Sequence, residues 1–208
     1  MEKIEPYNNI KDAIKSLDNG GRFYNVLTKA KDGLINQSEL GKVGGIFNNA
    51  QQMILFLEMS ILKLDQSEKD SIISKLDSNL NKTYQKYKSQ KILPSEANIK
   101  GIISSNVITT GIPKLIDSKS EFEGFLMFPI MNGNITTFMM IPLIDKYDVY
   151  ELRDEESSET LLIAHLKDSE KLPRKKMIIG GVLKKLKKNK EEDKAKGRFL
   201  EAIYHLEV

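Results

Sequence analysis

The chain has 208 residues, of which 40% are hydrophobic and 29% are charged, and this balance excludes a disordered protein. It contains no run of about 18 apolar residues, which excludes a membrane-spanning helix, and no cysteine, which excludes disulfides and thiolate metal sites. The first residues lack the basic and apolar segments of a secretory signal, so we expect a cytoplasmic protein without a membrane partner.

The first predicted elements are short helices. Residues 8–91 as a whole show the three-and-four spacing of apolar residues that is typical of α-helices. Within this region helices are predicted at 10–17 and 23–28, and the Asn-Gly-Gly sequence at 19–21 breaks the chain between them. We therefore predict a helical domain over residues 1–91.

The stretch 28–39 resembles a degenerate EF-hand calcium loop. With its glycine at the sixth loop position, Asp32 takes the fifth, Asn36 the ninth and Glu39 the twelfth, where oxygen ligands are expected. The first and third positions carry threonine and alanine, so two ligands are lost or weakened. The same sequence fits a turn in which Asn36 caps the next helix and Glu39 completes a capping box. Asp32, Asn36 and Glu39 are thus weak metal candidates, and a structural turn is the simpler interpretation.

Two longer helices are predicted after this loop. Apolar residues recur at helical steps over 46–64 and also spread around the cylinder, which predicts a helix at the centre of its domain. Residues 65–68 read as an N-cap with its acidic partner three residues later. They open a helix whose apolar stripe continues to Tyr87, and Pro94 ends it or lies just beyond it.

From about residue 121 the helical spacing gives way to strand-length runs. No helix-length insert separates these runs, which predicts an antiparallel meander or small barrel over 121–208. Residues 92–120 are predicted to form a packed connector. The fold class is therefore α+β, with an N-terminal helical bundle followed by a C-terminal antiparallel β domain. The predicted strands are 122–131, 136–144, 147–153, 160–167, 177–186 and 199–208.

The C-terminal region is strongly basic. Residues 171–198, which we call the basic ribbon, contain twelve Lys or Arg and three acidic residues, although the whole chain has a net charge of only +3. Such a local field attracts polyanions. The same lysines would also keep an edge strand from aggregating, which needs no ligand. The candidates for neutralising phosphates are Lys175, Lys176, Lys184, Lys185, Lys187, Lys188, Lys190 and Arg198.

Residues 147–208 resemble, in layout, the closing part of an oligonucleotide/oligosaccharide-binding (OB) barrel. A strand pair leads through a connector into a strand interrupted by Gly180-Gly181, then into a variable loop and a last strand. The two glycines are expected to mark a bulge or barrel corner. The resemblance implies that the loop 187–198 contacts nucleic acid. The chain has no tryptophan for base stacking, and its aromatic residues here fit a core equally well.

Catalytic motifs are missing from the sequence. It has no phosphate-binding glycine loop, no dinucleotide fingerprint and no serine elbow. His165 and His205 lie in predicted strands at solvent-facing or interface positions, without the carboxylate spacing that would support a metal site. The acidic turn at 154–156 is interpreted as solvated. We therefore predict a non-enzymatic protein without a cofactor.

Three classes of function are compatible with these features. The leading hypothesis is a binding or scaffolding protein that presents a surface to a protein partner or to a second copy of itself. The alternative is nucleic-acid or other polyanion binding through the basic ribbon. A further alternative is an enzyme, or a carrier of a small apolar ligand, that uses the interior of the barrel in the β domain, with an adaptable pocket lined by Met127, Met131, Met139 and Met140.

Overall fold

The computed structural model describes residues 1–20, 29–116, 125–132, 135–154, 159–167, 170–186 and 197–208. The chain divides into two compact units, Lys3–Ser89 and Met1–Glu2 with Gln90–Val208. The first unit is largely helical and the second is built on β-strands, so the α+β class is confirmed. The predicted helix at 23–28 and the loop lysines Lys187, Lys188 and Lys190 lie outside the described residues.

The helical unit contains five α-helices within the described residues. Each begins at a polar N-cap whose side chain accepts hydrogen bonds from the first-turn amides, as expected for helix starts. The helices are α1 (Ile10–Leu17), α2 (Gln37–Gly44), α3 (Ala50–Ser60), α4 (Gln66–Ser74) and α5 (Ser78–Tyr87).

The apolar stripe predicted for one helix after residue 65 is divided between α4 and α5. The backbone hydrogen bonds of Lys75 and Asp77 are diverted to Ile35, whose amide donates to the Lys75 carbonyl while its own carbonyl accepts from the Asp77 amide, both at 2.8 Å. The Asp77 carboxylate then accepts from the Leu80 amide at 2.7 Å and starts α5. The prediction of a continuous helix was wrong because this non-local pairing interrupts it.

Helix α3 lies at the centre of the helical core, as its all-round apolar sequence predicted. Nearly every residue from Met53 to Ser60 is buried. It packs with side chains from all the other helices of the unit and from the loop before α2. The fully buried members of this core include Ala13, Leu17, Ile35, Leu40, Ile54, Leu57, Ile72 and Leu80.

The second unit contains most of the strands. It also holds a 3₁₀ turn at Pro94–Glu96 and two four-residue helices, α6 (Ala97–Lys100) and α7 (Leu143–Lys146). The strands are β1 (Glu2–Lys3), β2 (Gln90–Lys91), β3 (Asn106–Leu115), β4 (Phe125–Asn132), β5 (Ile135–Pro142), β6 (Tyr147–Arg153), β7 (Thr160–Leu166), β8 (Met177–Lys185) and β9 (Arg198–Glu207).

Five of these strands close into a β-barrel. The ring runs β3–β6–β7–β9–β8 and returns to β3, with every neighbouring pair hydrogen-bonded. Strands β7 and β9 are parallel, so the prediction of a wholly antiparallel domain is corrected to a mixed barrel. A ring with an odd number of strands cannot alternate direction all the way round, and one parallel pair is therefore required.

Strand β3 comes from the segment that the sequence placed in a connector. Its sequence contains Gly111 and Pro113. Both residue types are depleted in strands, so the sequence pattern did not predict a strand here. The glycine is needed because a Cβ at Gly111 would lie 2.4 Å from the Arg153 carbonyl oxygen of β6. The missing side chain therefore allows the backbones of β3 and β6 to lie close together at this point of the ring.

The barrel interior is filled by side chains. A cluster that includes Tyr150, Leu161, Ile163, Ile179 and Leu200 is almost completely buried. A second cluster covers the outside of the barrel near α7. The irregularity predicted at Gly180-Gly181 is present, because the β8–β9 ladder shifts register between these two glycines. The extra residue is Ile203 of β9, which bulges opposite the glycine pair.

Strands β4 and β5 form a separate two-stranded sheet in the connection between β3 and β6. We call residues 125–142 the apolar ribbon. Met127, Met131, Met139 and Met140 belong to this ribbon and not to a strand of the barrel ring. No helix among the described residues has both the length and the apolar character needed to cross a membrane.

Candidate functional site

The basic ribbon is partly neutralised by carboxylates of strand β9. The Lys175 ammonium lies 2.6 Å from a Glu207 carboxylate oxygen, and the Lys184 ammonium lies 2.5 Å from one of Glu201. Both pairs are partly solvent-exposed, so each contributes little to stability. They nevertheless reduce the positive field that these two lysines present to a polyanion.

Arg198 has a structural role. Its Nη1 donates to the carbonyl oxygens of Ala97 at 2.8 Å and Gly101 at 2.6 Å, the first residue and the C-cap of α6. The Ala97 carbonyl also accepts from the Gly101 amide at 3.2 Å, so the guanidinium binds directly beside the hydrogen bond that closes this short helix. Of the other candidates on described residues, Lys176 and Lys185 are exposed.

A different group of cations surrounds an open cleft on the outside of the barrel. The cleft, with a volume of about 250 Å³, is lined by Ile112, Lys114, Arg153, Asp154 and Arg174. An adjoining depression of about 130 Å³ shares three of these residues and adds Lys176, Leu93, Thr110 and Gly111. We call the two together the cationic cleft. Its four basic side chains are exposed.

Strand pairing assembles this cleft from distant parts of the sequence. In the β3–β6 ladder Ile112 lies opposite Arg153, and Lys114 lies opposite Glu151. Only Lys176 of its four cations was among the sequence candidates. Lys114 and Arg153 were missed because each is isolated in the sequence, and the signal that joins them is the pairing register of a strand that was itself overlooked.

Two carboxylates moderate the charge of the cleft. A Glu151 oxygen accepts from the Arg153 guanidinium at 3.2 Å. An Asp154 oxygen accepts from the Ser95 amide at 3.1 Å and from the Ser95 hydroxyl at 2.8 Å, which ties the end of β6 to the 3₁₀ turn. The cleft therefore keeps a positive excess of two beside one partly exposed isoleucine, which suits an anionic ligand with an apolar portion.

Two of the three metal candidates form a helix cap, and the third closes the turn before it. Asn36 and Glu39 make the predicted capping box of α2, with the Asn36 side chain accepting from the Glu39 amide and Glu39 accepting from the Asn36 amide. The second Glu39 oxygen accepts from the Gly20 amide at 2.7 Å. Asp32 accepts from the Leu34 amide at 2.9 Å and so closes a turn.

The electrostatics of this cap also favour a structural role. Glu39 is fully buried, and burial raises the pKa of its carboxyl group although two amide donors lower it again. The neighbouring Asp18 accepts from the amides of Asp32 at 3.1 Å and Gly33 at 2.9 Å. The carboxylates here bind backbone amides. Among the described residues no group of three His, Cys, Asp or Glu side chains is arranged to hold a metal ion.

His165 lies inside the protein, so the expectation of a solvent-facing or interface position was wrong for it. It is 1% exposed and its ring stacks on Tyr150, with ring centroids 5.5 Å apart. Burial lowers the pKa of His165, the charge of the chain's amino terminus lowers it further, and Asp148 raises it. A buried, stacked and neutral imidazole acts here as a core residue.

No protein-family model matches the chain, and no curated protein matches it at a significant level. The candidate sites are therefore judged by their geometry and chemistry alone.

Proposed function

We propose that this chain is a non-enzymatic binding protein in which an OB-type barrel presents a protein-interaction surface. The barrel topology supports the OB assignment. Going round the ring, one meets the first, second, third, fifth and fourth barrel strands of the chain. This order is the five-stranded Greek-key layout of OB barrels. The glycine-interrupted β8 and the loop before β9 occupy the fourth-strand and variable-loop positions of that layout.

The observation that carries the proposal is the apolar ribbon. None of its residues is charged, although 29% of the whole chain is. It lies between the first and second barrel strands, a connection through which OB barrels contact their ligands. Its strands pair with each other and with no other described strand.

Both faces of the apolar ribbon are apolar. A two-stranded hairpin is at best marginally stable in water on its own, and large exposed apolar patches mark interaction sites. A partner that binds such a ribbon would stabilise it. By register, one face holds Phe125, Met127, Pro129, Met131, Thr136, Phe138, Met140 and Pro142, and the other holds Leu126, Phe128, Ile130, Asn132, Ile135, Thr137, Met139 and Ile141.

Affinity purification from cell extract with three forms of the protein tests this proposal. The ribbon variant carries Phe128→Thr and Met139→Thr, a directly opposed pair that threonine replaces without loss of β-propensity. The control carries Ile99→Thr and Ile102→Thr, which remove two exposed isoleucines outside the ribbon.

We expect the wild type and the control to retain the same proteins, including further copies of the chain itself. The ribbon variant should lose them at an unchanged melting temperature. Equal retention by all three forms, measured by quantitative mass spectrometry, would contradict the proposal.

Polyanion binding is a second candidate function, and the cationic cleft favours it. Lys114, Arg153, Arg174 and Lys176 are exposed around one cleft and outnumber its two carboxylates, those of Glu151 and Asp154. This convergence of cations from separate strands and loops makes the cleft a candidate surface for binding phosphates.

Salt-dependent binding of a labelled single-stranded oligonucleotide tests the second candidate. Replacing Lys114 and Arg174 by Gln should flatten the slope of log K against log salt by about 1.4, because each lost phosphate contact on a single strand contributes about 0.7. The matched control replaces Lys175 and Lys184 by Gln and should keep the wild-type slope. An identical slope in all three proteins would remove this candidate.

A further inference from the structure

We propose that the apolar ribbon is a self-association surface on which β5 pairs antiparallel with β5 of a second copy of the chain. The result is a four-stranded sheet, β4–β5 of one copy joined to β5–β4 of the other across a two-fold axis. This inference rests on the proposed function, because it names the partner of the same surface.

The two edges of the ribbon differ in their capacity to pair. Pro129 of β4 lies opposite Phe138, and Pro142 of β5 lies opposite Phe125. Proline has no amide hydrogen, so it is accepted in a ladder where its nitrogen faces away from the partner strand. Pro129 and Phe125 are an even number of residues apart, so their backbone nitrogens both point away from β5, to the outward edge of β4. The outward edge of β4 is thus interrupted in its middle.

The outward edge of β5 is uninterrupted. Thr136 and Met140 are each two residues from Phe138, so their backbone amides point to the same outward edge of β5. Each of the three carries an amide hydrogen. Pro142 has the same orientation but is the last residue of the strand. A two-fold axis at Phe138 places it opposite its own copy and Thr136 opposite Met140. This edge offers a continuous set of donors and acceptors for a second strand.

The charge pattern indicates a copy of the same chain as the partner. Exposed edge strands are normally protected from self-pairing by lysine or another charged residue, and residues 125–142 contain none. Two identical ribbons can therefore approach without charge repulsion. The two-fold axis then places the same face of both ribbons on one side of the four-stranded sheet. A polyanion would find no cation here.

The open edge argues against a lipid bilayer as the occupant. Each unpaired backbone group in the hydrocarbon region costs several kcal/mol, so an isolated ribbon with two open edges does not insert stably. The sequence Asn-Gly-Asn at 132–134, between β4 and β5 in the chain, is polar. A second strand satisfies the edge, whereas lipid does not.

The size of the ribbon indicates a weak dimer. The proposed contact is one pair of eight-residue strands about 26 Å long, and pairing at the edge leaves both faces of the sheet uncovered. Stable interfaces of standard size bury about 800 Å² on each partner. Dimerisation should therefore depend on concentration.

Sedimentation velocity of the full chain, from about 1 µM to about 1 mM, tests the inference with two matched variants. Met127 and Met140 are opposite each other in the ladder, on the interrupted and the open strand respectively. Met140→Pro removes an outward amide from β5, and Met127→Pro removes the equivalent amide from β4. Met140→Lys is a milder second variant that places like charges on the proposed edge.

We expect the wild type and Met127→Pro to dimerise, with Met140→Pro and Met140→Lys raising the dimer dissociation constant by about tenfold or more. Equal weakening by Met127→Pro and Met140→Pro would overturn the edge assignment. A wild type that is monomeric throughout would overturn the inference. If a monomeric wild type still loses a captured protein in the ribbon variant, the proposed function survives alone. If it instead cosediments with neutral lipid vesicles, the occupant is a bilayer.

Discussion

Carboxylates at the start of α2 show how one set of residues can suggest a metal and yet form a cap. Glu39 holds the amides of Gly20 and Asn36, and Asp18 holds those of Asp32 and Gly33. Side-chain oxygen atoms at calcium-loop spacing can accept from backbone amides equally well. Calcium binding and capping both require short, negatively charged side chains close to a turn.

The buried Glu39 should contribute much more to stability than its exposed counterpart. Glu39→Ala leaves the buried Gly20 amide and the partly buried Asn36 amide without acceptors, which costs roughly 2–4 kcal/mol in the free energy of unfolding. Glu68 has the equivalent place in the exposed capping box of α4. Glu68→Ala should cost only about 0.5–1 kcal/mol. Urea denaturation of both variants measures the difference, and equal losses would contradict the account.

Calcium should have no effect on stability if this site is only a cap. Adding millimolar Ca²⁺ or a chelator should leave the melting temperature unchanged, because a ligand that binds the folded state alone would raise it. A Ca²⁺-dependent rise that Glu39→Gln abolishes would establish a metal site instead.

His165 should make stability depend on pH. Its pKa in the folded protein is below the ordinary value of 6.5. Below about pH 6.5 the unfolded chain therefore binds a proton that the folded chain does not, and stability is lost as pH falls towards the folded-state pKa. The wild type should lose up to about 1.4 kcal/mol per pH unit more than His165→Phe in this window. Denaturation curves at pH 7 and pH 5 measure this, and parallel losses would be contrary evidence.

At the scale of elements, glycines determine where strands can approach. Position 181 was recognisable in the sequence because two consecutive glycines interrupt an apolar run, and the register shift occurs there. Position 111 was not recognisable, since a single glycine two residues before a proline is typical of a loop. Likewise, the division between α4 and α5 depends on Ile35, which is far from both helices in sequence.

Gly181→Ala should therefore be strongly destabilising. A Cβ at this position would lie 2.3 Å from the Glu201 carbonyl oxygen, and backbone of β9 cannot move aside easily. We expect a loss of at least about 2 kcal/mol. The control is Gly41→Ala in α2, where no atom lies within 4 Å of the added Cβ and stability should rise by about 0.5–1 kcal/mol. Thermal unfolding of both variants measures these changes. An unchanged melting temperature for Gly181→Ala would contradict the close approach of β8 and β9 at this position.

At the scale of the whole molecule, each compact unit has its own core. All members of the helical core lie within Lys3–Ser89, and the two barrel clusters draw on residues of the other unit. A unit with its own apolar core can fold alone.

Residues 3–89 expressed alone should be helical by circular dichroism and unfold cooperatively. The fragment 3–74 lacks α5 and with it Leu80, Tyr84 and Tyr87 of the core, so it should not fold. A random-coil spectrum for 3–89, or equal behaviour of the two fragments, would count against an independent helical unit.

Local spacing was sufficient to read the order of helical and β regions, the caps of α2 and α4, the central helix α3 and the irregularity at Gly180-Gly181 of β8. These features depend on residues within a few positions of one another, and their periods of 3.6 and 2 are visible in the chain. Barrel closure, the parallel β7–β9 pair, the place of β3 and the cationic cleft required the folded structure. They depend on pairing registers between residues such as Lys114 and Glu151, and no local pattern encodes which distant strand a given strand will meet.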